Sequence, residues 1–382
     1  MQTVSLCGST GSIGQSACRI LGQAQQLTCK TLIFGRNEEK AREQIALLKP
    51  SYAGCLEKET ALRIKREFSF LKEVFYGEGL TEAASLPSDI FVSAVSGSAG
   101  TAFSFAALKG TRRLALANKE TLVMAGQIFM KEASQRGVSV YPVDSEHNAL
   151  YQCLQGEERE NVESLVLTAS GGPFRGFGAE ELARVTPAQA LKHPTWSMGK
   201  KITIDSATMA NKGLEIIEAS WLFSFPEERI EVVVHPQSII HSMVRMRDGS
   251  LKALMGEPDM RLPLAYAFDY PRRERYGWEH CDLTRLGTLT FEAPDEKAFP
   301  ALPLARAALR GGGILPLVYN RVNEEAVKAF LAGKIPFTGI AGSIERYLGE
   351  YSGNNRMPGS VEEVEETDRE IYQQIRNDLE LT

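Results

Sequence analysis

Short apolar runs separated by amphipathic stretches set the pattern of the first 145 residues. Val4-Ser5-Leu6-Cys7, Thr31-Leu32-Ile33-Phe34, Ile90–Val95, Arg113–Ala117 and Val138–Val143 are rich in β-branched and apolar residues and predict buried strands. Between them, Gln15–Leu21, Glu38–Leu48, Glu57–Leu71 and Thr121–Gln135 carry helical spacing. Strands alternating with helices predict a parallel, doubly wound sheet.

Beyond residue 145 the pattern changes. A helix over His147–Leu154 and a strand over Ser164–Ser170 come first. Val185–Lys201 has no periodicity and contains Pro187, Pro194 and Gly199. It predicts a long loop carrying His193, Trp196 and Met198, a candidate lid that excludes water. Ile202-Thr203-Ile204 predicts a strand, and a helix follows through Trp221. Ile230–Val234, Ile239–Met246 and Ser250–Leu254 predict strands of a mixed or antiparallel sheet. Gly256–Arg261 is turn-rich, and residues 270–294, rich in charge, Pro and Gly, predict a linker. Ala301–Arg310, Leu315–Phe330, Gly339–Leu348 and Val361–Leu379 are amphipathic helices. The expected organisation is an α/β domain over 1–144, an α+β catalytic and dimerisation domain over 145–269, a linker over 270–294 and a small all-α helical bundle over 295–382.

Composition narrows the function classes. The net charge of −5 lacks the basic footprint of a nucleic-acid binder. Six cysteines are scattered with no C-x-x-C pair, which predicts reduced thiols and a cytoplasmic setting. Gly8 interrupts the apolar start after four residues, unlike a secretory signal. No apolar run approaches the ~20 residues of a spanning helix, so no membrane association is expected.

Two stretches carry candidate chemistry. Gly8-Ser9-Thr10-Gly11-Ser12-Ile13-Gly14 lies between a predicted strand and a predicted helix. Its spacing is G-x-x-G-x-x-G, and a loop of this kind lets backbone and helix N–H groups approach a pyrophosphate. It predicts a Rossmann-type nucleotide domain. The second strand ends in Gly35-Arg36-Asn37 where NAD-binding chains usually carry an acid. A cation there favours NADPH, whose 2′-phosphate it can pair.

Val143-Asp144-Ser145-Glu146-His147 is the other stretch. On an extended chain Asp144 and Glu146 share one side, roughly 7 Å apart by Cα. Two such anions repel by about 2 kcal/mol at an effective dielectric near 20, and a hard divalent cation reverses that sign. Carboxylate oxygens suit Mg²⁺ or Mn²⁺. Downstream, Asn211, Lys212 and Glu215 share one helix face by their i,i+3 and i,i+4 spacing. By itself this face reads as an ordinary salt-bridged surface; a phosphate site beside a metal ligand is the other reading.

Together these segments resemble the 1-deoxy-D-xylulose 5-phosphate reductoisomerase family over essentially the whole chain. The resemblance is carried by Gly8–Gly14, Ala117-Asn118-Lys119-Glu120, Val143–His147, Ser170-Gly171-Gly172-Pro173-Phe174, His193–Gly199, Asp205–Glu215 and Gly256–Arg261. It implies a homodimer that uses NADPH and a divalent cation to rearrange and reduce a sugar phosphate on the mevalonate-independent route to isoprenoids. It implies Asp144, Glu146 and Glu215 as metal ligands, with Lys119 beside the metal and the nicotinamide. It implies Ser170, Ser206, Asn211 and Lys212 on the substrate phosphate, Ser145 on its hydroxyl end, and His193, Trp196 and Met198 on a lid. Gly8, Thr10, Gly11, Ser12, Ile13, Gly35, Arg36, Asn37, Asn118, Glu120 and Gly199 would line the cofactor.

Overall fold

Val4, Leu6 and Cys7 are fully buried, and their strand, β1 (Gln2–Cys7), becomes the middle of a seven-stranded parallel sheet. The computed structural model describes residues 1–192, 199–353 and 355–379. The other strands of this sheet are β2 (Leu27–Ile33), β3 (Tyr52–Cys55), β4 (Glu73–Tyr76), β5 (Ser88–Ser93), β6 (Thr111–Leu116) and β7 (Ser139–Pro142). Their order is β4-β3-β2-β1-β5-β6-β7, so the winding reverses between β1 and β5. In open parallel sheets ligands bind outside the carboxyl ends of the strands at such a reversal. The glycine loop leaves β1 at that edge, and the small-residue loop Ser96–Gly100 leaves β5 beside it.

The chain forms two compact units. The first contains Met1–Thr121, Phe129–Asn148 and Asp259–Glu279. The last of these pieces differs from expectation. Arg261–Asp269 is a helix that joins the parallel-sheet unit, packing on the Ser12–Gln23 helix and on β6 and β7. Arg113 of β6 explains the attachment. Its guanidinium donates to the carbonyls of Ala267 (3.1 Å), Phe268 (2.9 Å) and Tyr270 (2.9 Å), satisfying the end of that helix.

The second unit contains Leu122–Ile128, Ala149–Pro258 and His280–Thr382. Its four-stranded sheet uses β8 (Val162–Ala169), β9 (Ile230–Val234), β10 (Ile240–Met246) and β11 (Leu251–Met255) in the order β11-β10-β8-β9. The β8–β9 pair is parallel and the other two are antiparallel, so the sheet is mixed, as expected. The helices Ala301–Gly311, Leu315–Leu331, Phe337–Ser352 and Val361–Asp378 form the all-α part. Leu315–Leu331 is buried on nearly every side and serves as the axis of that bundle. The fold class is therefore α/β, α+β and all-α in chain order.

One expected strand is absent. Ile202-Thr203-Ile204 lies inside a helix, Lys200–Ala207. Thr203 explains the difference, because its backbone N–H (3.1 Å) and its hydroxyl (2.9 Å) both donate to Gly199 O. That local bonding outweighs the β preference of Ile and Thr.

Candidate active site

In the first unit, Gly8 sits at φ +86°, and a Cβ there would lie 2.4 Å from Ala94 O. A Cβ on Gly14 would lie 2.2 Å from Gly8 O. These two glycines let the loop pack on its own sheet. Gly11 differs, since an added Cβ would meet only Gly8 O, at 3.3 Å. Gly11 and Ser12 are exposed and Ile13 is half-buried, and no side chain caps the Ser12–Gln23 helix. That helix start offers donors to an anion. Thr10 O is bonded by Gln15 Nε2 at 3.0 Å, which fixes the loop crest.

Beyond β2, a Cβ on Gly35 would meet nothing within 4 Å. Arg36 is exposed and makes no ion pair among the described residues. Asn37 caps the Glu38–Leu48 helix, its Oδ1 accepting from Lys40 N at 3.0 Å. Glu38, the acid nearest this turn, is already claimed. Arg63 Nη2 reaches it at 2.5 Å and Arg42 Nη2 at 2.6 Å, and they pull its carboxyl down to about 2. With Glu38 neutralised, Arg36 sets the charge presented to a ribose, which fits a 2′-phosphate. The open crest, the free helix start and the unpaired arginine together fit a phosphorylated dinucleotide.

Asn118, 2% exposed, braces the next edge. Its Nδ2 donates to Val95 O (2.8 Å), Gly97 O (2.9 Å) and Glu120 Oε2 (3.0 Å), tying the loop after β5 to the start of the Glu120–Gln135 helix. Lys119 follows. Its Nζ lies 2.6 Å from Asp144 Oδ2. Asp144 Oδ1 accepts from Glu146 N (3.2 Å) and lies 3.1 Å from His147 Nδ1. Burial alone would raise the Asp144 pKa; the Lys119 charge and His147 outweigh it and hold the carboxyl well below the usual range.

Asp144 and Glu146 approach each other for a different reason from the one the spacing suggests. β7 stops at Pro142, and a helix begins at Ser145. The first helical turn, not an extended chain, brings one oxygen from each carboxylate within 4.8 Å. Ser145 Oγ donates to Glu146 Oε2 at 2.5 Å. Two carboxylates this close, on a helix start, fit a hard cation by donor type. His147, fully buried three residues beyond Asp144, has a place in the Val143–His147 stretch but no role from sequence, though its i,i+3 spacing from Asp144 was the available signal.

In the second unit, Ser170 follows β8, and its Oγ accepts from Gly172 N at 3.3 Å. Gly172 has φ +67°, and a Cβ there would lie 2.7 Å from Ser206 O. The glycine turn thus brings Ser170 and the Lys200–Ala207 helix together. Gly199 caps that helix. On the Ala210–Phe223 helix, Asn211 Nδ2 and Lys212 Nζ both bond the Glu215 carboxylate. Lys212 is 4% exposed and Glu215 fully buried, so this face is an internal charged cluster and not a solvated surface. His193, Trp196 and Met198 lie outside the described residues.

A parallel sheet with a phosphate-type loop at its reversal, a close pair of acids of which Asp144 is held by a lysine, and an Asn–Lys–Glu cluster built on buried Lys212 and Glu215 define an α/β nucleotide-binding enzyme. Comparison with known proteins makes this particular. Residues 4–126 match the model of 1-deoxy-D-xylulose 5-phosphate reductoisomerase, and residues 140–223 and 255–374 match two models of that enzyme's C-terminal domain. The reductoisomerase of Geotalea daltonii is 48% identical over 97% of each chain, and that of Geobacter metallireducens 49% identical over 91% of this chain and 92% of its own. Among solved structures, the Zymomonas mobilis reductoisomerase in complex with NADPH superposes with a TM-score of 0.92 at 40% identity over 99% of each chain. A reductoisomerase in complex with NADPH, fosmidomycin and magnesium gives 0.93 at 36% identity, covering 100% of this chain and 99% of its own. The chain belongs to the 1-deoxy-D-xylulose 5-phosphate reductoisomerase family.

Proposed function

We propose that the chain converts 1-deoxy-D-xylulose 5-phosphate to 2-C-methyl-D-erythritol 4-phosphate, using NADPH and a divalent cation, Mg²⁺ or Mn²⁺, in isoprenoid precursor biosynthesis. Its identity to reductoisomerases across nearly its full length carries the reading. The metal is assigned to Asp144, Glu146 and Glu215. Two close carboxylates on one helix start and a third already in contact with an ammonium support that set. Bound there, the cation polarises the ketone and lowers the pKa of the adjacent hydroxyls, and NADPH supplies the hydride that reduces the rearranged aldehyde.

The chain's own residues bind and orient. Gly8, Thr10, Gly11, Ser12 and Ile13 cradle the pyrophosphate, and Arg36, with Gly35 and Asn37, receives the 2′-phosphate. Asn118, Glu120 and Gly199 are assigned to the cofactor. Lys119 balances the charge of Asp144. Ser170, Ser206, Asn211 and Lys212 hold the substrate phosphate away from the reacting carbons, so that its binding contributes orientation. Ser145 meets the hydroxyl end. His193, Trp196 and Met198 are assigned the role of keeping the aldehyde from water. Residues 1–144, completed by 259–279, serve the cofactor, 149–258 catalysis and dimerisation, and 295–382 support.

The homodimer is assigned to the second sheet. β11 is its edge strand and exposes Leu251 (49%) and Met255 (38%), the kind of edge another chain covers. The cytoplasm is the proposed compartment, supported by free cysteines and by the lack, among the described residues, of a helix long and apolar enough to cross a membrane. One assay tests the function. Protein, NADPH, Mg²⁺ and deoxyxylulose phosphate are mixed while nicotinamide absorbance is followed; no loss of absorbance contradicts the proposal.

A further inference from the structure

We propose that Asn323 and Tyr319, both on the Leu315–Leu331 helix of the all-α part, are positioning residues for the phosphate pocket. The inference rests on the reading of Ser206, Asn211 and Lys212 as phosphate contacts. Those three side chains flank a corner of two residues, Thr208 and Met209, between the helices Lys200–Ala207 and Ala210–Phe223. Met209 is buried at φ 62° and ψ 7°, a left-handed conformation that a residue with a side chain adopts at a cost. Such a conformation persists only where neighbours over-determine it. Part of the restraint is local. Thr208 Oγ1 lies 3.1 Å from Ile204 O and accepts from Ala210 N at 3.3 Å.

The rest comes from more than a hundred residues further along the chain. Asn323 is fully buried, and its Nδ2 donates to Asp205 Oδ1 at 2.8 Å. Asp205 is the residue before Ser206, and its other oxygen pairs with Lys201 Nζ at 2.8 Å. The Asn323 Oδ1 finds no hydrogen-bond partner among the described residues. An amide half-satisfied in a core is worse for stability than an apolar side chain of its size, so stability alone does not account for Asn323. Its grip on Asp205 does. Tyr319 holds the other arm. Its hydroxyl donates to Ala301 O at 3.0 Å, and a Cβ on Gly213 would lie 2.6 Å from it. Gly213 is the residue after Lys212, so the glycine lets the Lys212-bearing turn seat directly on Tyr319. One helix thus fixes both arms of the corner, and with them the spacing between Ser206 and Lys212.

The test compares KM values, because loss of core stability alone does not raise one KM selectively. Asn323→Ala is expected to raise KM for the sugar phosphate about tenfold while KM for NADPH stays within about twofold. Tyr319→Phe, which removes only the hydroxyl, is expected to shift the same KM in the same direction, and it carries the test should Asn323→Ala fail to fold. The exchange D205N with N323D restores one amide–carboxylate bond and is expected to recover part of the loss. An unchanged sugar-phosphate KM in both single variants, or equal rises in both KM values, overturns the inference. Ser206→Ala, measured in parallel, separates the layers. If it too leaves the sugar-phosphate KM unchanged, the phosphate assignment falls and takes this inference with it; if it alone raises that KM, only the positioning role falls.

Discussion

Lys119 Nζ stands 2.6 Å from Asp144 Oδ2, with both side chains about nine-tenths withdrawn from water. An ammonium held this way keeps the carboxylate ionised and aimed beside Glu146. Asp144→Asn keeps the shape and removes the charge. Turnover is expected to fall on the order of 100-fold or more, because the cation loses an anionic ligand. NADPH binding, followed by fluorescence titration, is expected to stay unchanged; a parallel loss of NADPH affinity would move Asp144 into the cofactor pocket instead.

Chelation tests the same cluster without mutation. EDTA is expected to stop NADPH oxidation, and excess Mg²⁺ or Mn²⁺ to restore it. Full activity in thoroughly chelated protein would leave a plain dehydrogenase and end the metal assignment.

Arg36 tests cofactor choice. Arg36→Ala is expected to raise KM for NADPH about tenfold, equivalent to ~1.4 kcal/mol, and to spare NADH. Equal effects on both nucleotides would place Arg36 away from the 2′-phosphate.

Glu38 makes a prediction about acid stability. Arg63 and Arg42 depress its carboxyl to about 2 from an ordinary 4.5. A depressed folded-state pKa stabilises the fold above pH 4.5 and loses that contribution as pH falls from 4.5 towards 2. Arg63 is half exposed, so screening keeps the term below about 1 kcal/mol. Thermal melts of Glu38→Gln are expected to match the parent near pH 2.5 and to fall below it at pH 6. A constant gap across that range would give the loss another origin.

The alternation of strand and helix was legible wherever an element has one buried side. Glu38–Leu48 is helical over the very residues its spacing predicts. The failures have physical causes. Arg261–Asp269 carries Pro263 in its first turn, where a missing N–H costs nothing, and then runs buried from Pro263 to Phe268 with no polar stripe to mark a helix. β3 and β4 are four residues each, too short to show a period. At the site, the residue types of Asn211, Lys212 and Glu215 were readable but their burial was not. A salt-bridged surface and an internal ion cluster have the same i,i+3 and i,i+4 spacing. The bond from Asn323 to Asp205 spans 118 positions, and no local pattern announces a contact at that range.

Arg113 waits for acceptors that the growing polypeptide provides late. Residues 259–279 complete the parallel-sheet unit, and the carbonyls that satisfy this guanidinium lie at positions 267, 268 and 270. During synthesis, then, the nucleotide-binding region is finished only after about half of the second unit has been made. A gene fragment stopped near codon 148 would yield a sheet with one flank bare, prone to aggregate.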